Sequence, residues 1–137
     1  MILMSGEGAK DFTELGVGLG VRFRVDGVKS TQVNKLLELL NAERDERLAL
    51  VLVSLFSHRQ AGRGSMGPVT AREISNAMRA ILESEKSDLR AEARRVLVVA
   101  KWVYEALGGR RIPPEYAERI RDYDSLLRFL GESHERR

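Results

Sequence analysis

Two arginines that flank a glycine-rich segment are the residues best suited to chemistry with a phosphate group. Arg59 and Arg63 stand at the start of residues 61–68, which contain three glycines and a proline. A guanidinium group is a planar, permanently charged fork that pairs with phosphate oxygens. A flexible glycine turn also lets backbone amides approach the same anion. The pattern therefore predicts a phosphate-binding loop.

Further basic side chains fall on predicted helix faces. Arg90, Arg94 and Lys101 lie on one side of a late helix and opposite its apolar residues, at about 100° of rotation per residue. Arg72 and Arg79 align in the same way on the preceding helix. Because such a stripe is often only the solvated face of a helix, it adds candidates for phosphate contact and no separate site.

The sequence contains no residue pattern typical of an enzyme or a metal centre. It has no cysteine, and its two histidines, His58 and His134, stand far apart. Residues 16–20 carry alternating glycines, but Val21 occupies the place of the third glycine of a dinucleotide-binding loop. Most carboxylates stand beside arginine or lysine, as in a surface ion-pair network. We therefore expect no catalytic residue, no metal and no cofactor, and a protein that is not an enzyme.

The composition predicts one soluble globular domain. The 137 residues are 43% hydrophobic and 31% charged, with a net charge of +3. The longest apolar run, Leu48 to Phe56, is about half the length of a membrane span. Arginines far outnumber lysines, which suits contact with nucleic acid, although a GC-rich or thermophilic genome produces the same bias. We expect a cytoplasmic protein with no membrane partner.

Hydrophobic periodicity predicts an all-α fold, a small bundle of about five helices with a loosely structured N-terminal arm. Residues 1–27 form the predicted arm, because glycines punctuate residues 1–20 and Val21–Val25 alternates like a short strand. Residues 28–137 form the predicted bundle. Its helices are expected over residues 31–60 as one bent or two joined helices, from Thr70, over 88–107, and after Pro113-Pro114.

Two local patterns refine these helices. Thr70 and Glu73 have the spacing of a capping box, in which each side chain binds a free amide of the first turn. Trp102 and Tyr104 lie in the apolar helix over 88–107, so we interpret both as partly buried core residues. Base stacking by these rings is the less favoured alternative.

Three segments together resemble a known family. Lys29-Ser30-Thr31-Gln32-Val33 opens a helix, Arg59-Gln60-Ala61-Gly62-Arg63 follows an apolar helix, and residues 96–107 form a late helix with aromatic residues near its end. In these segments, over roughly residues 21–107, the chain resembles the small α-helical subunit of type III-A CRISPR–Cas effector complexes, the Csm complexes.

The resemblance implies a structural role. Copies of such a subunit stack inside the complex, beside the groove that holds CRISPR RNA paired with target RNA, while other subunits carry the nuclease activities. The implied partners are these two RNAs, other subunits and copies of the chain itself. By motif match, Arg59 and Arg63 would face the RNA, with Lys29 and Lys35 as additional contacts. These contacts would be to the backbone, because the guide reads the sequence.

Other functions fit parts of the sequence. Residues 68–74 and the following helix resemble part of a helix-turn-helix DNA-binding regulator, in which Arg90, Arg94 or Arg95 would enter the major groove. A helical viral coat protein that binds nucleic acid and a small subunit of a related CRISPR type are the remaining alternatives.

Overall fold

The protein is all-helical in the computed structural model, which describes residues 11–135 and contains no strand in that range. This confirms the predicted fold class. The described range holds seven helices, two more than the five expected, and they are α1 Leu15–Asp26, α2 Ser30–Ala42, α3 Glu46–Gly62, α4 Pro68–Leu82, α5 Leu89–Ala106, α6 Tyr116–Arg119 and α7 Tyr123–Glu135.

Helix α1 replaces most of the predicted arm. The predicted strand at Val21–Val25 is wrong, because these residues are helical, and the first ten residues of the arm lie outside the described residues. Gly16 and Gly20 stand one turn apart and face α5. A methyl group added at Gly20 would lie 2.6 Å from the Ala100 carbonyl oxygen. The glycines thus allow close helix packing, and burial outweighs their poor helix propensity.

The five main helices alternate in direction along the chain, so α1 and α5 run parallel. Gly20 packs beside Ala100, and Arg24 donates a hydrogen bond to the Tyr104 carbonyl oxygen one turn further along both helices. Helix α2 runs antiparallel to α5. The Tyr104 hydroxyl, near the end of α5, binds the Val28 carbonyl just before the start of α2, and Arg94, near the start of α5, binds Asn41 near the end of α2. The turns after α1, α3 and α5 therefore meet at one end of the bundle.

The core has two parts. The larger part lies among α1 to α5 and contains large side chains with no solvent exposure, among them Phe23, Leu36, Leu40, Leu50, Ile74 and Ile81. The smaller part lies beneath α6 and α7 and contains Val17, Val21, Val103, Leu107, Ala117 and Ile120. Each large buried side chain contributes about 1.5–3 kcal/mol to folding. Since α1 supplies residues to both parts, it is an integral element of the bundle.

The predicted capping box is wrong. Helix α4 begins at Pro68, so Thr70 lies within the first turn, where it is buried and donates a 2.6 Å hydrogen bond to Asp26. Glu73 forms an ion pair with Arg22 at 3.1 Å. Both side chains make contacts with α1 that are distant in sequence, and the local spacing could not reveal them.

The C-terminal segment is two helices where one was predicted. Ile120 is extended, and α7 restarts at an Asp122–Ser125 cap, in which the Ser125 amide donates to the Asp122 carboxylate at 2.9 Å. Leu127 of α7 is 66% exposed. Among the described helices, none combines the length and the apolar character needed to cross a bilayer.

Candidate nucleic-acid interface

The candidate interface is the bundle end where the turns after α1, α3 and α5 meet. Asp26, the last residue of α1, holds these turns together. Its carboxylate accepts hydrogen bonds from the Gly67 amide at 2.8 Å and from the Thr70 hydroxyl at 2.6 Å. On the other side, the Tyr104 hydroxyl donates a 2.6 Å hydrogen bond to the Val28 carbonyl. We call this end of the bundle the basic end.

Four of the sequence-predicted residues lie towards the basic end. Lys29 precedes α2, Arg59 and Arg63 lie at the end of α3, and Arg72 lies in the second turn of α4. All four side chains are exposed. Within residues 11–135, none of them forms an ion pair or a side-chain hydrogen bond. Their charges are therefore available to an external anion, and several free cations towards one end of a bundle favour a polyanion.

Carboxylates at the basic end offset part of this charge. Asp26, Glu105 and Glu115 lie there, and the Asp26 carboxylate accepts hydrogen bonds from Gly67 and Thr70. The turns at the opposite end mix six carboxylates with three cations, namely Glu43, Asp45, Glu46, Glu83, Glu85 and Asp88 with Arg44, Arg47 and Lys86. Carboxylates are thus in excess in those turns, which favours approach of a polyanion to the basic end.

The turn after α3 is tighter than the sequence predicted. The Arg63 amide donates to Arg59 and Gln60 carbonyl oxygens, and the amides of Gly64 and Ser65 also return to the end of α3. Gly64 has a φ of 80°, which glycine adopts without strain. Since these backbone amides are already bonded, the expectation that they cradle a phosphate is wrong, and anion binding depends on the arginine side chains.

Arg90 and Arg94 are hydrogen-bonded within the fold. Arg90 donates to the carbonyl oxygens of Leu40 and Glu43, both at 2.6 Å, and to that of Arg44 at 2.8 Å. Helix α2 ends in an extended Glu43 without a glycine cap, so Arg90 satisfies its last carbonyls. Arg94 donates to the Asn41 side chain at 3.0 Å.

These contacts disfavour the helix-turn-helix alternative. That hypothesis places Arg90, Arg94 or Arg95 in a major groove. The first two are bonded within the fold, and Arg95 pairs with Glu92 at 3.0 Å. The turns around the start of α5 also carry more carboxylates than cations, which disfavours a phosphate chain there.

The remaining predicted residues lie away from the basic end or are paired. Lys35 lies 3.7 Å from Glu38 on α2, and Arg79 lies 4.0 Å from Glu83 near the end of α4. Lys101 is half-buried on α5. Because exposed ion pairs of this kind are weak, Lys35 and Arg79 remain able to leave their partners and bind an anion. The fold does not, however, gather Lys35, Arg79 and Lys101 into one surface.

Two aromatic residues differ from each other in their exposure. Tyr104 is buried as predicted, but Trp102 is 68% exposed, so its predicted place in the core is wrong. Trp102 lies in the second-last turn of α5, close to the end of the helix that reaches the basic end. An exposed indole there provides a flat apolar surface on which a base can stack.

Among the described residues, one histidine and one serine form a hydrogen-bonded pair of the kind that nucleophilic catalysis uses. His58 Nε2 lies 2.8 Å from the Ser75 hydroxyl on the exposed faces of α3 and α4. No carboxylate contacts the other ring nitrogen among residues 11–135, and no cluster of potential metal ligands occurs in that range. This geometry lacks the orienting group that a serine nucleophile requires.

Three arginines of the basic end were not among the predicted site residues. Arg24 lies at the end of α1, and Arg110 and Arg111 follow α5. The Gly-Gly-Arg-Arg sequence at 108–111 was the available signal, but only the parallel packing of α1 on α5 brings Arg24 beside it.

Comparison of the chain with known protein families, with curated protein sequences and with solved structures finds no match. The basic end must therefore be interpreted from its own geometry.

Proposed function

We propose that the protein is a non-catalytic RNA-binding subunit whose basic end grips the sugar–phosphate backbone. The observation that carries this proposal is that Lys29, Arg59, Arg63 and Arg72 lie towards one end of the bundle, all exposed and unpaired within the described residues. Side chains of this type that project from helix ends contact phosphates without reading bases. Binding of this kind depends strongly on salt.

More specifically, we propose the small subunit of a type III CRISPR RNA-guided effector complex in the cytoplasm, with CRISPR RNA and target RNA as its ligands. Two of the motif segments support this. Lys29 belongs to the first segment, Arg59 and Arg63 belong to the second, and the fold brings both segments to the basic end. The guide–target duplex presents a continuous double row of phosphates, which suits sequence-independent contacts.

An exposed apolar strip on α3 supports assembly from several copies. Leu48, Val51 and Leu55 recur at helical spacing and are 43%, 40% and 59% exposed. Arg59 is the next residue on the same helix face, and it borders an apolar cavity formed with Leu39, Leu52, Leu55 and Phe56. If copies stack through this strip, their Arg59 side chains align in a row along one RNA.

The proposal is tested with the double variant Arg59→Ala/Arg63→Ala. Its affinity for a short single-stranded RNA should fall, and the slope of log K against log salt should flatten by about 1.4, since each lost phosphate contact contributes about 0.7. The matched control is Arg95→Ala/Arg128→Ala, which removes two exposed arginines that already pair with Glu92 and Asp124. Fluorescence anisotropy at several salt concentrations measures both.

The control should keep the wild-type slope, and circular dichroism should show unchanged helicity for both variants. Equal slopes for the wild type and Arg59→Ala/Arg63→Ala would remove the basic end from the binding site. The narrower assignment is tested separately by co-purification, because a CRISPR subunit retains guide RNA, whereas a regulator shifts a specific DNA palindrome and a coat protein polymerises.

A further inference from the structure

A second group of arginines at the basic end lines an open surface cavity of about 630 Å³. Arg24, Arg110 and Arg111 form its charged part, and Val25, Ile112, Pro113 and Pro114 form its apolar part. Among residues 11–135, no acidic residue lines it. Cavities of roughly 300–1,000 Å³ accommodate small-molecule ligands.

Arg24 is held in place before any ligand arrives. Its Nε and Nη2 atoms donate to the Tyr104 carbonyl oxygen at 3.2 and 2.7 Å, and its Cζ lies 3.9 Å from the centre of the Tyr104 ring. Gly108 lies beside the guanidinium, since a methyl group there would be 3.4 Å from Nη2, an ordinary contact distance. A side chain anchored in this way loses little conformational freedom when it binds an anion.

The other two arginines have charge without a partner. Arg110 is half-buried and Arg111 is exposed, and neither side chain has an ion pair or hydrogen bond within the part of the chain that the structure describes. The turn that carries them is shaped by Gly109, whose φ is 80°, and by the Arg110 amide, which donates to the Leu107 carbonyl. Three like charges thus converge without a carboxylate between them, an arrangement that a multivalent oxyanion stabilises.

From this arrangement we propose that the cavity binds a phosphate-bearing nucleotide. The phosphate would lie among Arg24, Arg110 and Arg111, and the sugar or base would pack on Val25, Ile112 and the two prolines. The nucleotide has two sources with the same chemistry, a free mononucleotide or one nucleotide of an RNA strand. The second source rests on the proposed function, whereas the first does not.

Isothermal titration calorimetry with AMP and adenosine tests the site. The wild type should bind AMP and not adenosine, and Arg110→Ala/Arg111→Ala should weaken AMP binding by about tenfold or more, because two charge-assisted contacts are lost. Arg59→Ala/Arg63→Ala is the matched control, since it removes two arginines of the same end that do not line the cavity, and it should leave AMP binding unchanged.

Saturation with a short RNA separates the two sources. Loss of the AMP signal identifies a nucleotide of the strand, and its persistence identifies a free nucleotide. The proposal is overturned if AMP does not bind, if adenosine binds as well as AMP, or if Arg110→Ala/Arg111→Ala binds AMP like the wild type. A failure of Arg59→Ala/Arg63→Ala to change RNA affinity would count against the proposed function alone.

Discussion

At the scale of single residues, the arginines of this protein divide into structural and free groups. Arg90 is the clearest structural arginine, since it donates to three main-chain carbonyls at the end of α2. Arg59 and Arg63 are free, with no side-chain partner among residues 11–135. Arginine-rich composition alone could not make this division, because the carbonyls that Arg90 binds lie 46 to 50 residues away in the sequence.

Replacement of Arg90 should destabilise the fold. Arg90→Ala leaves the last carbonyls of α2 without partners, which should lower the free energy of unfolding by about 2 kcal/mol. Arg95→Ala, on the exposed side of the same helix, should change it by less than about 0.5 kcal/mol. Urea denaturation followed by circular dichroism measures both, and equal midpoints would contradict the capping role of Arg90.

Acid should loosen the start of α7. Hydrogen bonds from the Ser125 side chain and amide lower the pKa of Asp122 below its usual value of 3.8. A carboxyl with a lowered pKa contributes stability above its unfolded pKa and loses it as the pH falls through the folded value. NMR should therefore show the Ser125 amide hydrogen bond intact at pH 5 and lost well below pH 3.8. Loss of that bond near pH 5 would show that the cap does not depend on the ionised carboxylate.

At the scale of elements, α1 shows how tertiary packing overrides local propensity. Its glycines suggested a loose arm, because glycine is a poor helix former. Two of them instead form the surface that lets α1 approach the α5 backbone. Helices α4 and α5 were predictable from their apolar stripes, whereas the place of α1 depends on Ala100 and Val103, about 80 residues further along the sequence.

Alanine substitutions should distinguish Gly20, which packs against α5, from Gly18, which does not. Gly20→Ala places a methyl group 2.6 Å from both the Ala100 oxygen and Val103 Cβ, and should destabilise the protein by about 1–3 kcal/mol. Gly18→Ala meets nothing closer than 3.9 Å and should stabilise it by about 0.5–1 kcal/mol through better helix propensity. Thermal unfolding shows whether each substitution lowers or raises the stability of the protein. Stabilisation by both substitutions would contradict the close α1–α5 contact.

At the scale of the whole molecule, the alternation of helix direction creates the candidate site. The local sequence predicted Arg59 and Arg63 beside a turn, and it also gave Lys29 and Arg72 as candidates. It did not predict that these four share one end while Arg79, Arg90 and Arg94 lie towards the other. That separation follows from helix pairing, as in the contact of Asp26 with Gly67, which is a property of the folded chain.

The apolar strip on α3 should control assembly. Leu55→Glu places a charge in the strip and should reduce the number of copies bound along a long RNA, because burial of a carboxylate opposes stacking. Leu127→Glu is the matched control, since Leu127 is 66% exposed on α7, away from the strip. Sedimentation velocity with RNA measures the stoichiometry. Identical stoichiometry for Leu55→Glu and the wild type would exclude the strip from copy-to-copy contact.

The central claim is that one end of the bundle holds the RNA backbone. The most direct test is an NMR titration of the ¹⁵N-labelled protein with a short RNA, which follows the arginine side-chain and backbone signals together. Saturable shifts are expected at Arg59, Arg63 and Arg72 and at the backbone of Lys29, with Arg90 and Arg94 unchanged. Shifts confined to Arg90, Arg94 and the acidic turns, or no saturable shift at all, would contradict it.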